Sequence, residues 1–171
     1  MAIRWKPNVT VAAIIERVVD GRQEFLLVEE QTTEGLRLNN PAGHLDPGET
    51  PQHGAEREAL EETARRFTPD SLVGIYLSRV RRPANGDDVT YLRVAFGGRA
   101  AEPEPGRALD AGIVRTLWMS LADVRASRER HRSPLVLRCI EDRVAGRRLP
   151  LDAVYSDPSV FAADADEQAD T

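Results

Sequence analysis

The sequence predicts an α/β fold in which a mixed β-sheet lies between helices. Two pairs of β-branched and apolar runs, each interrupted by a turn sequence, indicate antiparallel hairpins, and a helical pattern with one acidic face lies between the pairs. A second helical pattern follows the hairpins. A length of 171 residues with 41% hydrophobic content suits one domain with a sizeable core, which we assign to residues 1–155.

The first predicted hairpin begins with the run NVTVAAII and returns through EFLLVEE. Asp20-Gly21 lies between the two runs, and this dipeptide is a strong signal for a tight turn that requires positive φ. We therefore predict two antiparallel strands here.

The remaining elements follow in chain order. LVGIYLSRV and TYLRVAFGG, separated by RPANGDD, predict a second hairpin after Thr68-Pro69. After the loop PEPG, the run IVRTLWMS predicts a short strand, and Ser120 is a candidate cap for a helix from Leu121 to Arg128. LVLRCIEDRVAG has apolar positions at helical spacing, which predicts a helix that ends at Gly146. Residues 156–171 are acidic with few large apolar side chains, so we expect a disordered tail.

The helical pattern between the hairpins contains EREALEETA, Glu56 to Ala64. On a helix, Glu58, Glu61 and Glu62 share one face because they are spaced at i, i+3 and i+4, and the opposite face is mostly apolar. An exposed acidic stripe is the common interpretation of such a face. Since like charges at this spacing repel one another, the alternative is a site where something positive lies among them.

The segment before this helix, PAGHLDPGETP, favours the second interpretation. Thr50 is a candidate helix cap, and Pro51 suits the first turn because its missing N–H is not needed there. A loop, a cap and a carboxylate-bearing helix together bring oxygen atoms towards a hard cation. Mg²⁺ prefers such ligands and usually shares substrate phosphates.

The spacing of these residues resembles the Nudix box, the signature of hydrolases that cleave diphosphates linked to another group. Gly43 is followed after five residues by Glu49, and after seven more by REALEE, which begins at Arg57. The resemblance implies a Nudix-type α/β/α sandwich and a hydrolase that requires Mg²⁺, with Mn²⁺ as a possible substitute.

The chain departs from the box at its end, where the family usually has Gly and then an aliphatic residue. Here the residues are Ala64 and Arg65. Because Ala takes a left-handed backbone less readily than Gly, we predict that the helix continues through Arg65 or Arg66 and ends near Thr68-Pro69. Arg65 would then lie on the acidic face, where it could pair with the glutamates.

The resemblance also assigns roles within the site. It implies metal binding by three carboxylates and one backbone carbonyl, those of Glu58, Glu61, Glu62 and Ala42. Glu49 and Arg57 match the family's supporting pair, in which the guanidinium orients carboxylates. The base that activates water is either Glu58 or, on a distant loop, Asp110; an Asp on an exposed loop is more often only solvated.

Further segments resemble the NudJ-type phosphatase subgroup, namely PNVTVAAII, LLVEE, NNPAGHLDPGETP, RSPLV and GRRLPLD. This subgroup releases phosphate from nucleoside di- and triphosphates and from hydroxymethylpyrimidine pyrophosphate. We predict substrate contacts for Arg93, Leu38 and Asn40. Leu38 replaces a Trp common in relatives, so it offers a base only apolar contact. Two other functions stay open: a non-catalytic Nudix-fold module that senses a nucleotide, and a Nudix enzyme for ADP-ribose or dinucleoside polyphosphates.

Composition restricts the partners. A formal net charge of −5 argues against polymeric nucleic acid, whose binding depends on clustered Lys and Arg. Cys139 is the single cysteine, so we expect no internal disulfide and a cytoplasmic protein. The sequence contains no run of eighteen apolar residues, so we expect no membrane span. We expect a small phosphorylated substrate and a monomer or homodimer.

Overall fold

The computed structural model describes residues 5–82 and 86–161. Within these ranges the chain forms seven strands and three α-helices, joined by turns and short 3-10 segments. The strands are β1 (Asn8–Val19), β2 (Arg22–Thr32), β3 (Gly35–Asn39), β4 (Ala42–His44), β5 (Phe67–Arg82), β6 (Asp87–Ala100) and β7 (Ile113–Ser120). The helices are α1 (Pro51–Thr63), α2 (Leu121–Ala126) and α3 (Leu135–Val144).

Both predicted hairpins are confirmed. β1 and β2 pair antiparallel across a turn in which Asp20 has φ 50° and Gly21 has φ 75°, as a tight hairpin turn requires. β5 and β6 also pair antiparallel, from Phe67–Ala100 to Arg82–Asp87. Residues 83–85 of the turn predicted between them lie outside the described residues.

The sheet is mixed, as predicted. Its strand order is β3-β2-β1-β6-β5, and β1 runs parallel to β6. β1 and β2 pair with each other only near their turn, at Glu16–Val19 and Arg22–Phe25. Further from the turn, β1 pairs with β4 and β2 pairs with β3. The hairpin therefore opens away from its turn.

Helices cover the sheet on both faces, which confirms the predicted α/β sandwich. On one face α1 buries Ala55 and Ala59 against a core that includes Val11, Leu26 and Phe96. On the other face α2 and α3 complete a second core, whose members include Val124, Val136, Ile140, Ile14 and Leu27. No helix in the described ranges is both long and apolar enough to cross a membrane.

The start of α1 is confirmed. Pro51 is its first residue, and the Thr50 hydroxyl accepts a hydrogen bond from the His53 N–H at 3.1 Å. This bond satisfies one of the N–H groups that the first turn of a helix leaves without an intrahelical partner.

The predicted extension of α1 past Ala64 is wrong. The helix ends at Thr63, and Ala64 adopts the left-handed conformation with φ 55° and ψ 21°. Its N–H donates to the Leu60 carbonyl at 3.0 Å, and its carbonyl accepts from Glu104 N–H at 2.7 Å. These bonds and the burial of Ala64 offset a left-handed backbone that costs about 1–2 kcal/mol.

Arg65 consequently points away from the acidic face. Its Nη1 donates to the Ala101 carbonyl at 2.9 Å, and its guanidinium carbon lies 5.7 Å from the centre of the Trp118 ring. The predicted pairing of Arg65 with the acidic face is therefore wrong as well, since the chain turns one residue earlier.

The other differences are local. β3 and β4 were not predicted, and β4 lies inside the segment expected to be a loop. Thr68 and Pro69 belong to β5, the strand at the end of the sheet order, where a proline can be accommodated. α2 is capped by Ser120 as predicted, although it ends at Ala126. Residues 162–171 of the predicted tail lie outside the described residues, and Pro158–Phe161 forms a 3-10 turn.

Candidate active site

Arg57 lies at the centre of an acidic cluster formed by α1 and the loop before it. Its Nε and Nη2 donate to the two carboxylate oxygens of Glu49, at 3.0 and 2.8 Å. Its Nη1 donates to Glu58 at 2.7 Å and to Glu61 at 2.9 Å. The guanidinium is thus one cation among these glutamates, and it orients three carboxylates.

The same contacts keep this part of the cluster charged. Hydrogen bonds from Arg57 hold the pKa of Glu49 below its ordinary value, against the effect of burial. The bond to Glu49 in turn raises the pKa of Arg57. A bond from Arg57 Nη2 to the His44 carbonyl, at 3.0 Å, fastens the helix to the end of β4.

Glu62 lies in a different environment, because no arginine in the described ranges donates to it. Its Oε2 accepts from the Ala42 N–H at 2.9 Å, and the residue is only 8% exposed. Burial raises the pKa of Glu62 to about 8, and the charges of neighbouring acids act in the same direction. Burial also raises the pKa of Glu58, against the effect of Arg57. Two buried carboxylates therefore lie together, and within the described ranges only Glu58 of the two is bonded to an arginine.

Glycine is needed where β4 and the loop after it approach α1. A Cβ on Gly43 would lie 2.1 Å from Glu58 Oε1, a distance no side chain can occupy without displacing the carboxylate. On α1 itself, a Cβ on Gly54 would lie 2.7 Å from Glu49 Oε1. The two glycines let the carboxylates pack directly against backbone.

The loop between β6 and β7 brings Asp110 to the same helix. The Asp110 N–H donates to the Glu61 carbonyl at 3.1 Å. The charge of Asp110 contributes to the raised pKa of both Glu58 and Glu62. A residue about fifty positions away in sequence therefore lies within electrostatic reach of the acidic face.

A cavity of about 220 Å³ lies beside Ala42 and Gly43, where the first hairpin opens. We call it the inter-strand cavity, and its polar lining includes Thr10, Glu30, Asn39, Arg93, Arg132 and Ser133. Arg93 is 7% exposed, and its Nε and Nη1 have no acceptor in the described part of the chain. Burial lowers the pKa of Arg93, while the charges of Glu62 and Glu30 oppose that effect.

Two predicted substrate contacts are not at this cavity. Leu38 is fully buried in the core beneath α2 and α3, so its side chain offers no apolar contact to a base. Asn40 is 1% exposed and does not line the cavity, whereas its neighbour Asn39 does. Leu38 faces the core because the pairing of β3 with β2, which was not predicted, sets the direction of its side chain.

Sequence reasoning missed Glu30, Asn39 and Arg132. Glu30 is the second acid after an apolar strand, in LLVEE, and a charge at the end of a buried run was the available signal. Arg132 lies on the segment between α2 and α3, and only the tertiary structure brings it to β2.

The oxygen atoms of the α1 carboxylates are the candidate donors for a divalent cation. In this conformation no three His, Cys, Asp or Glu side chains of the described residues converge to form a complete metal cage. The chemistry of the donors nevertheless fits a hard cation. Arg57 occupies one oxygen each of Glu58 and Glu61, and the Ala42 N–H occupies one oxygen of Glu62. In the described ranges the other oxygens, Glu58 Oε2, Glu61 Oε1 and Glu62 Oε1, accept no hydrogen bond.

An α/β sandwich whose glutamate-bearing helix follows a glycine-containing loop defines a Nudix-type hydrolase domain. The model of the NUDIX domain matches residues 7–139, so the chain belongs to the Nudix family. It is similar to the phosphatase NudJ of Escherichia coli K12, with 32% identity over 150 residues, 88% of this chain and 92% of the relative. The predicted family is therefore confirmed.

Solved structures agree. A NUDIX hydrolase from Nitrosomonas europaea is 48% identical, with a TM-score of 0.78, and the match covers 89% of this chain and 98% of that one. The NUDIX domain of Shewanella oneidensis NrtR, complexed with ADP ribose, is 19% identical with a TM-score of 0.65, over 83% and 89% of the two chains, and supports the fold alone. The chain is thus an enzyme of the pyrophosphohydrolase or phosphatase type, and such hydrolases generally use divalent metals.

Proposed function

We propose that this protein is a Mg²⁺-dependent hydrolase of nucleoside di- and triphosphates and of related pyrophosphates such as hydroxymethylpyrimidine pyrophosphate, from which it releases phosphate. One observation carries the proposal. Two buried carboxylates, Glu58 held by Arg57 and Glu62 without an arginine partner in the described ranges, lie next to a cavity whose buried Arg93 has unpaired N–H groups. An anionic substrate and a cation together supply the charges that both sets of groups lack.

The proposed metal ligands are the carboxylates of Glu58, Glu61 and Glu62 and the backbone carbonyl of Ala42. When bound, a divalent cation neutralises phosphate charge and lowers the pKa of a water molecule. Mg²⁺ is the proposed ion because every donor is an oxygen, and Mn²⁺ is a possible substitute.

The chain's own residues orient the carboxylates and accept the proton of the attacking water. Arg57, held by Glu49, orients Glu58 and Glu61 through bonds of 2.7 and 2.9 Å. Glu58 is the proposed base for the attacking water, and its raised pKa supports that role. Asp110 is the alternative base. Arg93 is proposed to donate to phosphate oxygens through Nε and Nη1.

The size of the cavity favours small substrates. Its volume of about 220 Å³ is below the roughly 300–1,000 Å³ of sites for drug-sized ligands. A second nucleoside, as in a dinucleoside polyphosphate, has little room there. We also propose that the protein acts in the cytoplasm, as a monomer or homodimer, and its buried Cys139 is compatible with a reducing compartment.

A non-catalytic nucleotide-sensing module is the second function that the sequence leaves open. The presence of every box acid and the arginine-held geometry of Glu58 and Glu61 favour catalysis instead. An enzyme for ADP-ribose or dinucleoside polyphosphates is the third. The small cavity disfavours a second nucleoside, and the neighbour complexed with ADP ribose is too distant in sequence to indicate a substrate.

The test is phosphate release from a panel of nucleotides, pyrimidine-methyl pyrophosphates, ADP-ribose and diadenosine tetraphosphate, each with saturating Mg²⁺, with Mn²⁺ and with EDTA. We expect turnover that requires the metal, with kcat/KM values for nucleotides within about tenfold of one another because phosphate and metal contacts dominate binding. Undiminished activity in EDTA would rule out the metal role. A preference of about a hundredfold for ADP-ribose or diadenosine tetraphosphate, equal to nearly 3 kcal/mol, would overturn the substrate class alone.

A further inference from the structure

Three oxygen atoms in the wall of the inter-strand cavity are buried without a hydrogen-bond donor. They are Glu30 Oε1, Asn39 Oδ1 and Thr10 Oγ1, in the described part of the chain. Asn39 and Thr10 are 6% and 7% exposed, and all three residues line the cavity. Burial of a polar atom without a partner is destabilising, so these three atoms are available to accept hydrogen bonds from a ligand.

Glu30 is the most informative of the three. The side-chain oxygen and nitrogen of Asn39 could exchange places by a flip of its amide, whereas both terminal atoms of Glu30 are oxygens. An ionised carboxylate only accepts hydrogen bonds. Arg132 Nε lies 3.5 Å from Glu30 Oε1, so the two residues form an ion pair but no hydrogen bond. A negative group at this position repels phosphate. Since Glu30 is not among the proposed metal ligands, no metal ion offsets that repulsion, and we assign the phosphates to another part of the site.

We propose, building on the hydrolase function above, that Glu30 and Asn39 select substrates whose head group carries an exocyclic amino group, as an amino-substituted heterocycle does. The head group is the part of the substrate attached to the phosphates. Arg93 donates to the phosphates, and the α1 carboxylates bind the metal that contacts them. Glu30 and Asn39 accept hydrogen bonds from the head group. Glu30 is thus a specificity-determining residue of the cavity.

The cavity's other lining residues are consistent with a single ring. Tyr91 and His44 lie with their ring centres 6.3 Å apart at an interplanar angle of 57°, and Val80 adds an apolar surface. Ala42 and Gly43 connect the cavity to the acidic helix, through the Ala42 bond to Glu62 and the approach of Gly43 to Glu58. The head group and the phosphates therefore occupy neighbouring parts of one site.

The test compares substrates that differ in one exocyclic group, CTP with UTP and ATP with ITP, at saturating Mg²⁺. We expect wild-type kcat/KM to favour the amino-bearing member of each pair by about five- to tenfold, mainly through KM, because a charged acceptor strengthens a hydrogen bond. Glu30→Gln should reduce the ratio to within about twofold, since an amide can pair with either substrate. Glu24→Gln, on the same strand and paired with Arg17 outside the cavity, is the matched control and should keep the wild-type ratio.

Each outcome separates the two proposals. Equal wild-type rates for CTP and UTP, and for ATP and ITP, would overturn the role of Glu30 while leaving the hydrolase function intact, and this comparison needs no variant. Absence of hydrolysis with all four nucleotides would overturn the proposed function itself. A Glu30→Gln protein that needs about tenfold more Mg²⁺ but keeps the wild-type CTP/UTP ratio would place Glu30 with the metal ligands and refute head-group selection.

Discussion

Replacing Glu62 with glutamine should stabilise the metal-free protein while removing most of its activity. The burial that raises the pKa of Glu62 from 4.5 to about 8 also disfavours its charged form in the folded state. Each pKa unit corresponds to 1.36 kcal/mol, so the fully ionised residue destabilises the folded protein by about 5 kcal/mol at most. Glutamine has the same shape, keeps an oxygen to accept the Ala42 N–H, and carries no charge.

The pH dependence follows from the direction of this shift. Because the folded pKa lies above the unfolded one, the folded protein binds the proton more tightly, and wild-type stability falls as pH rises from 4.5 to about 8. The advantage of Glu62→Gln is therefore below about 1 kcal/mol at pH 5 and about 3 kcal/mol at pH 7. For a domain of this size, each 1 kcal/mol shifts Tm by roughly 2–4 °C.

The assay is thermal unfolding in EDTA at pH 5, 7 and 8.5, followed by turnover at saturating Mg²⁺. Loss of a carboxylate proposed to bind the metal should lower turnover by about a hundredfold or more, equal to nearly 3 kcal/mol. Glu56→Gln is the control, because Glu56 lies on the same helix and bonds to Gln52 at 3.0 Å, away from the acidic face. The reasoning is refuted if Glu62→Gln is no more stable than wild type at pH 8.5, or if the difference does not grow with pH. Full activity of Glu62→Gln would refute the mechanism.

Two further predictions concern backbone positions near the site. Gly43→Ala should lower kcat/KM by about tenfold or more. The new Cβ would lie 2.1 Å from Glu58 Oε1 and would therefore displace that carboxylate. Steady-state kinetics test this, and wild-type activity would contradict it. Ala64→Gly should change the free energy of unfolding by less than about 1 kcal/mol, because relief of the left-handed backbone is offset by loss of a buried methyl group and by a more flexible unfolded chain. Urea denaturation measures it, and a change above about 2 kcal/mol in either direction would show that this balance is wrong.

Much of the site can be predicted because its pattern is local. Glu58, Glu61 and Glu62 are brought to one face by helical spacing alone, and Thr50 with Pro51 begins that helix at the predicted residue. Asp20-Gly21 likewise predicts the first hairpin, because positive φ at both residues is a property of the dipeptide. Nothing outside these segments is needed for either prediction.

The end of α1 could not be predicted from local preference. Alanine alone disfavours the left-handed backbone, yet the loop from β6 to β7 donates Glu104 N–H to the Ala64 carbonyl and Asp110 N–H to the Glu61 carbonyl. Tertiary hydrogen bonds thereby outweigh a local cost of about 1–2 kcal/mol.

The sequence by itself determined the family, the hairpins and the acidic face of α1, since each depends on spacing within one segment. Only the tertiary structure decided which residues form the inter-strand cavity. Glu30, Asn39 and Arg93 come from three strands, and their meeting depends on where β1 and β2 separate and on strand register. The burial of Leu38 has the same origin, because side chains alternate along a strand and register determines which of them face the core.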